Sequence, residues 1–127
     1  DEDFDIYGWE DIELGLRLEH SGVSLYYNAE AVAYHHHPVG IPSFCKRQQN
    51  VGRASNIFIE KHPDLTWLLG DRELLKTKAR LYPVAVILVK ILAVLDSFFQ
   101  VSLSHEKYKF VLDVNYAKGA VEKEEKE

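Results

Sequence analysis

The chain has 127 residues, of which 46% are hydrophobic and 28% charged, so it fits one domain with a hydrophobic core. Fifteen basic and twenty acidic residues give a formal net charge of −5, which argues against a nucleic-acid partner. Cys45 is the single cysteine, which excludes an internal disulfide and a zinc site made of thiolates. The first residues lack the pattern of a signal peptide, so none is expected. The chain does not begin with methionine, which is absent altogether, so we expect a piece of a longer protein.

Charge is distributed unevenly along the chain. Residues 1–13 carry seven acids and no base, whereas residues 46–80 carry eight bases and four acids. This acidic head and basic middle could face each other across a site for a metal and an anionic ligand. Alternatively, they are two separate solvated faces, and charge alone leaves both interpretations open.

The first predicted elements are one helix and two strands. A helix is expected over residues 10–21, where apolar residues recur at helical spacing and Gly22 stands at the position that ends a helix. Val23–Tyr27 and Ala31–His35 are predicted strands, because small, β-branched and aromatic residues favour a sheet. A turn at residues 28–30 separates them.

The rest of the chain is predicted to be helical. A long helix is expected from Ser43, as its N-cap, to Lys61, and His62-Pro63 ends it. Further helices are expected over 71–81, 83–103 and 105–118.

The stretch from Val84 to Leu95 is the most apolar of the chain. It is interrupted by Lys90 and is shorter than the roughly 20 apolar residues of a membrane span. We therefore predict a helix in the core or at an interface. A helix lying on a membrane surface is the second interpretation and a span the third.

Two adjacent carboxylates, Glu10 and Asp11, stand at the start of the first predicted helix. Their side chains point about 100° apart, so the protein can hold one while the other faces a cleft. A carboxylate in a cleft can take a proton from a hydroxyl nucleophile. Alternatively, both residues simply interact favourably with the helix dipole.

Three adjacent histidines end the second predicted strand. Imidazole suits Mn, Zn, Ni or Fe, and alternate residues of a strand share a face, so at most His35 and His37 could converge on one ion. Alternatively, these histidines are the exposed polar end of a strand. We assign no role to His36 or His37.

Taken together, these segments resemble the C-terminal half of family-2 glycosyltransferases of the GT-A fold. The matching elements, in order, are Asp1-Glu2, Phe4, Tyr7-Gly8-Trp9-Glu10-Asp11, Glu13-Leu14-Gly15, Arg17-Leu18, Gly22 and Ala31-Val32-Ala33-Tyr34-His35. The resemblance is specific over residues 1–62 and loose beyond residue 63.

The resemblance implies a role for individual residues. Asp11 corresponds to the catalytic base that deprotonates the acceptor hydroxyl, and Glu10 to its orienting neighbour. His35 corresponds to a ligand of a divalent metal, Mn or Mg, on the donor diphosphate. Arg47 and Arg53 stand where basic residues approach that diphosphate.

The resemblance also implies an α/β fold, with short strands followed by a mainly helical half. Residues 1–62 would form the acceptor half of a GT-A domain, 63–121 a helical extension and 122–127 a disordered tail. The implied enzyme is an inverting hexosyltransferase of polysaccharide biosynthesis. It would take a sugar from a nucleotide-diphospho donor to a hydroxyl on a glycan or lipid-linked acceptor.

Two departures from the family pattern narrow this expectation. An Asp-x-Asp motif well upstream of Glu10-Asp11 is missing, so we expect the donor-binding half to be absent and the isolated piece inactive. The Gln-x-x-Arg-Trp signature is also missing, which favours a non-processive enzyme. We expect a cytoplasmic protein, with peripheral contact at the inner face of a membrane and a dimer of the fragment as further options.

Two other functions remain open from the sequence. The chain could be a non-catalytic module that docks on a protein or a membrane through the 83–103 helix. A weaker alternative is a metallohydrolase that uses histidines and carboxylates. It is disfavoured because no second histidine lies at i, i+4 spacing on the first predicted helix.

Overall fold

The computed structural model describes residues 1–36, 40–99 and 105–122, and these residues form helices joined by turns and extended segments. The α-helices are α1 (Glu10–His20), α2 (Ile41–Lys61), α3 (Arg72–Ala79), α4 (Tyr82–Phe99) and α5 (His105–Val121). A 3₁₀ helix, Pro63–Leu69, connects α2 to α3. The five predicted α-helices are thereby confirmed, with described ends that shift by a few residues. The predicted end of the fourth helix, at residue 103, lies outside the described residues.

The predicted α/β fold is wrong, because the described residues contain no strand and the fold is all-α. Val23–Tyr27 and Ala31–His35 are exposed segments without sheet pairing. Their side chains favour a strand, but a strand also needs a neighbour for its backbone hydrogen bonds. Two arms of five residues form at best a marginal hairpin in water, so propensity alone does not produce a sheet here.

The turn between those two arms is nevertheless formed. The Ala31 N–H donates to the Asn28 carbonyl at 3.2 Å, and the Asn28 side chain accepts from the Glu30 N–H at 3.0 Å. Asparagine closes turns in this way by bonding to backbone two residues further on. The local turn therefore persists although the strands it would join do not pair.

Helix α1 ends as its sequence predicts. Gly22 adopts φ +78°, and its N–H donates to the Glu19 carbonyl at 2.9 Å. The next N–H, from Val23, donates to the Leu18 carbonyl at 3.0 Å. This pair of bonds is the Schellman motif, which a glycine at C′ allows without steric cost.

Helix α2 begins earlier than predicted, with Gly40 rather than Ser43 as its N-cap. Pro42 lies in the first turn, where a helix has no use for its missing N–H. Ser43 instead donates its hydroxyl to the Gly40 carbonyl at 2.8 Å.

The centre of the fold is the close crossing of α2 and α5. A Cβ on Gly52 would overlap the backbone carbonyl of Tyr116, and one on Gly119 would overlap the carbonyl of Gln49. Each helix thus presents a glycine at the point where the other backbone passes. Further small residues are buried beside them, namely Ala54, Ser55, Ala117 and Ala120.

A polar network lies within the same interface. The Gln49 amide donates to Asn115 Oδ1 at 2.7 Å and to the Tyr82 hydroxyl at 3.2 Å. Asn115 is buried and donates in turn to the Val111 carbonyl at 2.8 Å. These bonds join α2, α4 and α5, and they satisfy a polar side chain that would otherwise be costly to bury.

Helix α4 covers a second, apolar part of the core. Cys45, Leu92 and Val111 form a buried cluster contributed by α2, α4 and α5. Leu88 and Val89 of α4 pack against this cluster. None of the helices in the described part of the chain has both the length and the apolar character needed to cross a bilayer.

The predicted units at 1–62 and 63–121 stay predictions, although α2 of the first unit shares its core with α5 of the second. Within the predicted tail, Glu122 is described and accepts a hydrogen bond from Arg53 at 2.5 Å. Residues 123–127 lie outside the described residues.

Asp113 connects α3 to α5 and makes stability sensitive to acid. Its burial raises the pKa of the carboxyl, but hydrogen bonds from Lys109 and Lys78 outweigh this effect, so the pKa lies below the usual 3.8. A lowered folded-state pKa stabilises the fold above the unfolded-state pKa, and this contribution disappears as the pH falls through the folded-state value.

We expect Asp113→Asn to lower the free energy of unfolding by about 1 kcal/mol near pH 6. The difference from the parent chain should shrink as the pH falls below about 4, because the parent carboxylate then becomes protonated. Urea unfolding at several pH values measures this difference in the free energy of unfolding. Glu2→Gln, at an exposed residue, is the control. A constant difference between pH 6 and pH 3 would assign the effect to packing instead.

Candidate functional site

The candidate site is built on a tight turn at Gly8 and Trp9, just before α1. Gly8 has φ +125°, and a Cβ there would come within 2.9 Å of the Val51 Cα on α2. Trp9 has φ +69°, a left-handed conformation that residues other than glycine rarely adopt. Strained backbone of this kind persists only where the surrounding structure holds it.

Aromatic packing holds the turn against α2. The Trp9 ring lies 4.8 Å from the Phe58 ring, and Phe58 lies 5.1 Å from His62, measured between ring centroids. Phe58 is fully buried. The buried Trp9 Nε1 and His62 Nε2 atoms find no hydrogen-bond partner within residues 1–36, 40–99 and 105–122, so packing rather than a ring hydrogen bond holds the Trp9 ring against α2.

Three carboxylates in the first turn of α1 have different surroundings. The Gly8 N–H donates to Glu10 Oε2 at 2.6 Å, which ties Glu10 back to the strained turn. Glu13 is buried and accepts two hydrogen bonds from Arg17 Nε, at 2.8 and 2.9 Å. Asp11 is exposed, and its Oδ1 accepts from the Ile12 N–H at 2.8 Å.

Two of the three acids in the first turn of α1 therefore make structural contacts, and the third is exposed to solvent. Glu10 and Glu13 hold the turn and the helix, whereas the Asp11 carboxylate faces outward. A carboxylate carries about four lone-pair sites, so its bond to one N–H leaves room to accept a proton. The sequence had left open whether one of Glu10 and Asp11 is held while the other faces a cleft. It did not single out Glu13, whose i, i+4 spacing to Arg17 was the available signal.

The two candidate phosphate-binding arginines lie in different places. The Arg47 guanidinium stacks 4.1 Å from the centroid of the Tyr7 ring and donates to the Tyr7 hydroxyl. Arg47 thus contacts the segment that leads into α1. Arg53 instead forms an ion pair at 2.5 Å with Glu122, the residue that follows α5. It also donates a hydrogen bond at 2.9 Å to Asn50 of its own helix.

The candidate metal ligand, His35, is exposed in the extended segment after α1. His36 is exposed beside it, and His37 lies outside the described residues. Within the described part of the chain, no group of three or more His, Cys, Asp or Glu side chains is arranged to hold a metal ion. A metal ion at His35 would therefore need further ligands from outside the described residues.

The acidic head and the basic middle do meet, at the C-terminal end of α2. Lys61 Nζ lies 2.8 Å from an Asp1 carboxylate oxygen and 2.5 Å from one of Asp3. The hydrogen bond from Lys61 lowers the pKa of the Asp3 carboxyl. Sequence reasoning did not single out Lys61, although the opposite charges of the two segments pointed to such a contact.

No family model, no curated protein and no solved structure matches the chain. The similarity to family-2 glycosyltransferases thus rests on the order and spacing of the residues named above.

Proposed function

We propose that this chain is the acceptor side of an inverting glycosyltransferase, with Asp11 as the catalytic base. The parent enzyme would move a sugar from a nucleotide-diphospho donor to a hydroxyl of a glycan or lipid-linked acceptor. The proposal concerns the reaction and its residues, because the GT-A fold expected for this part of the chain is wrong.

The observation that carries the proposal is the arrangement around the Gly8–Trp9 turn. The backbone adopts a strained conformation there, and it sends Glu10 back onto the Gly8 N–H while Asp11 remains exposed. Strained backbone of this kind clusters at functional sites, and here it adjoins the exposed Asp11 carboxylate.

The step proposed for Asp11 is a single proton transfer. The acceptor hydroxyl would donate a hydrogen bond to the Asp11 carboxylate, which takes the proton while the oxygen attacks the anomeric carbon. A new carbon–oxygen bond forms on one face as the bond to the diphosphate breaks on the other. Attack opposite the leaving group inverts the anomeric configuration.

Glu10 and Arg47 would support this step without taking part in it. Glu10 fixes the turn, so it holds the start of α1 in one orientation, and orientation of reacting groups contributes strongly to rate. Arg47 contacts Tyr7, in the segment that leads into α1, and its guanidinium is suited to bind phosphate. Arg53 is less suited, because Glu122 already pairs with it.

The divalent metal stays an expectation of the resemblance. His35 would supply one ligand, and other ligands would come from outside the described residues. The role proposed for Asp11 does not depend on that ion.

The test is sugar transfer by the full-length protein that contains this chain. Purified enzyme is incubated with a panel of nucleotide-diphospho sugars and with glycan and lipid-linked acceptors, and the product is characterised by NMR. We expect transfer from one donor class, with a product of inverted anomeric configuration. A product of retained configuration contradicts the mechanism. If the enzyme neither hydrolyses any of the donors nor transfers a sugar from them, the proposed function is contradicted.

A further inference from the structure

Helix α4 has a second apolar face that the described residues leave uncovered. Val84, Ile87, Ile91 and Val94 recur at spacings of three, four and three residues, so they form one stripe along the helix. Each of these side chains is between 48% and 60% exposed. We refer to these four residues as the outer stripe.

The opposite side of α4 already packs on the core. Ala85 and Leu92 are buried, and Leu88 and Val89 contact the cluster around Val111. The helix is therefore apolar on both sides, although the chain covers one of them. A helix that is apolar all round requires a second apolar environment, and a contiguous exposed apolar patch marks an interaction surface.

The charges around the outer stripe indicate which environment it meets. Residues 74–95 contain four bases and no acid, in a chain whose net charge is −5. Two of these bases, Lys76 and Lys78, pair with Glu73 and Asp113, so the charge near the stripe comes from Arg80 and Lys90. Arg80 and Lys90 are exposed, the first just before α4 and the second at the border of the stripe. A second copy would bring two basic surfaces together, whereas an anionic surface would be complementary to this one.

We propose that the outer stripe of α4 lies on the surface of an anionic lipid bilayer. Val and Ile side chains would enter the boundary between headgroups and acyl chains, and Arg80 and Lys90 would contact the lipid phosphates. Lysine can extend its charged end to the headgroups while its methylene groups follow the apolar surface. This inference stands independently of the proposed glycosyltransferase activity.

The experiment is co-sedimentation of the 127-residue chain with unilamellar vesicles, compared between pure phosphatidylcholine and a mixture with phosphatidylglycerol. We expect binding to the anionic vesicles, several-fold less to neutral ones, and weakening by salt at about 1 M, where charges are screened beyond roughly 3 Å. Ile87→Asp or Ile91→Asp should weaken binding at least about tenfold, since each removes an apolar side chain and adds an acid. Lys90→Glu should reduce the preference for anionic vesicles.

The matched control is Leu25→Asp, which makes the same kind of change at an exposed apolar residue outside the helices. Leu88 lies in the same apolar stretch but packs inward, so a charge there would unfold the protein rather than test the surface. Circular dichroism and melting of each variant verify that the helices are intact.

Three results would overturn the proposal. Binding that Ile87→Asp leaves unchanged would show that the stripe is not the contact. Equal binding to both vesicle types would remove the role of the basic residues. A dimer that forms without lipid and is broken by Ile87→Asp, together with no vesicle binding, would assign the stripe to a second copy.

Discussion

Asp11→Asn in the full-length enzyme is expected to lower kcat by about 10²–10⁴-fold, the usual contribution of a positioned general base. Asparagine keeps the size of the side chain and can still accept the Ile12 N–H bond. It cannot take the proton of the acceptor hydroxyl. The apparent affinity for the donor should change little, so the loss falls on kcat rather than on the donor KM.

The controls for this substitution lie on the same segment. Asp5→Asn alters another exposed acid of the acidic head and should leave kcat within about twofold. Glu10→Ala removes the acceptor of the Gly8 N–H, so we expect a smaller loss of kcat together with lower stability. If transfer by the parent enzyme is robust and Asp11→Asn retains it, Asp11 is not the base and another residue must be sought.

Substitutions at the crossing of α2 and α5 should have the largest effect on stability. Gly119→Ala places a methyl group against the backbone carbonyl of Gln49, and Gly52→Ala places one against that of Tyr116. Backbone cannot move aside as a flexible side chain can, so the helices must separate. We expect each change to lower the free energy of unfolding by about 3 kcal/mol, the upper end for overpacking, and Tm by roughly 10 °C.

Gly15→Ala is the matched control for these two substitutions. Gly15 lies within α1, and a Cβ there would have no neighbour within 4 Å. Because alanine is a better helix former than glycine, this change should raise stability by about 1 kcal/mol. Thermal melting of the three variants measures the contrast. Equal effects at Gly15 and Gly119 would mean that α2 and α5 do not pass as closely as described.

The helices could be predicted because their signals are local. Apolar residues at helical spacing identified α1, and Gly22 marked its end through the Schellman bonds. Asp71 caps α3, since its side chain accepts from the Glu73 and Leu74 N–H groups, and this is a local signal of the same kind that the prediction of the helix had not used. Such signals depend on a few neighbouring residues and need no knowledge of the rest of the fold.

Local signals failed for the two predicted strands, because a strand forms only when a neighbouring strand accepts and donates its backbone hydrogen bonds. Tyr26, Tyr27 and Tyr34 have strong β propensity, yet each remains at least 89% exposed. Without a neighbouring strand in the described part of the chain, these segments form no sheet hydrogen bonds. The β propensity of these residues is high, but inferring a sheet from it led to the wrong fold class.

The candidate site was predictable in part. The adjacent acids allowed one carboxylate to be held while the other faces a cleft, with two partners of the helix dipole as the alternative. The structure holds Glu10 on the Gly8 N–H and leaves Asp11 exposed, and the catalytic role of Asp11 stays a prediction. The positions of Arg47 and Arg53 were not predictable, although both lie on α2. Arg47 turns toward Tyr7 and Arg53 toward Glu122, a choice made by contacts across 40 and 69 residues of sequence.

The sequence by itself determined the existence of the helices, the end of α1, the uneven charge and the acids at the start of α1. Each of these follows from interactions between residues within about one or two helical turns. The tertiary structure alone decided the rest. It crosses α2 and α5 at Gly52 and Gly119, strains the turn at Trp9, and leaves one face of α4 uncovered, because these features depend on which surfaces meet after distant segments pack together.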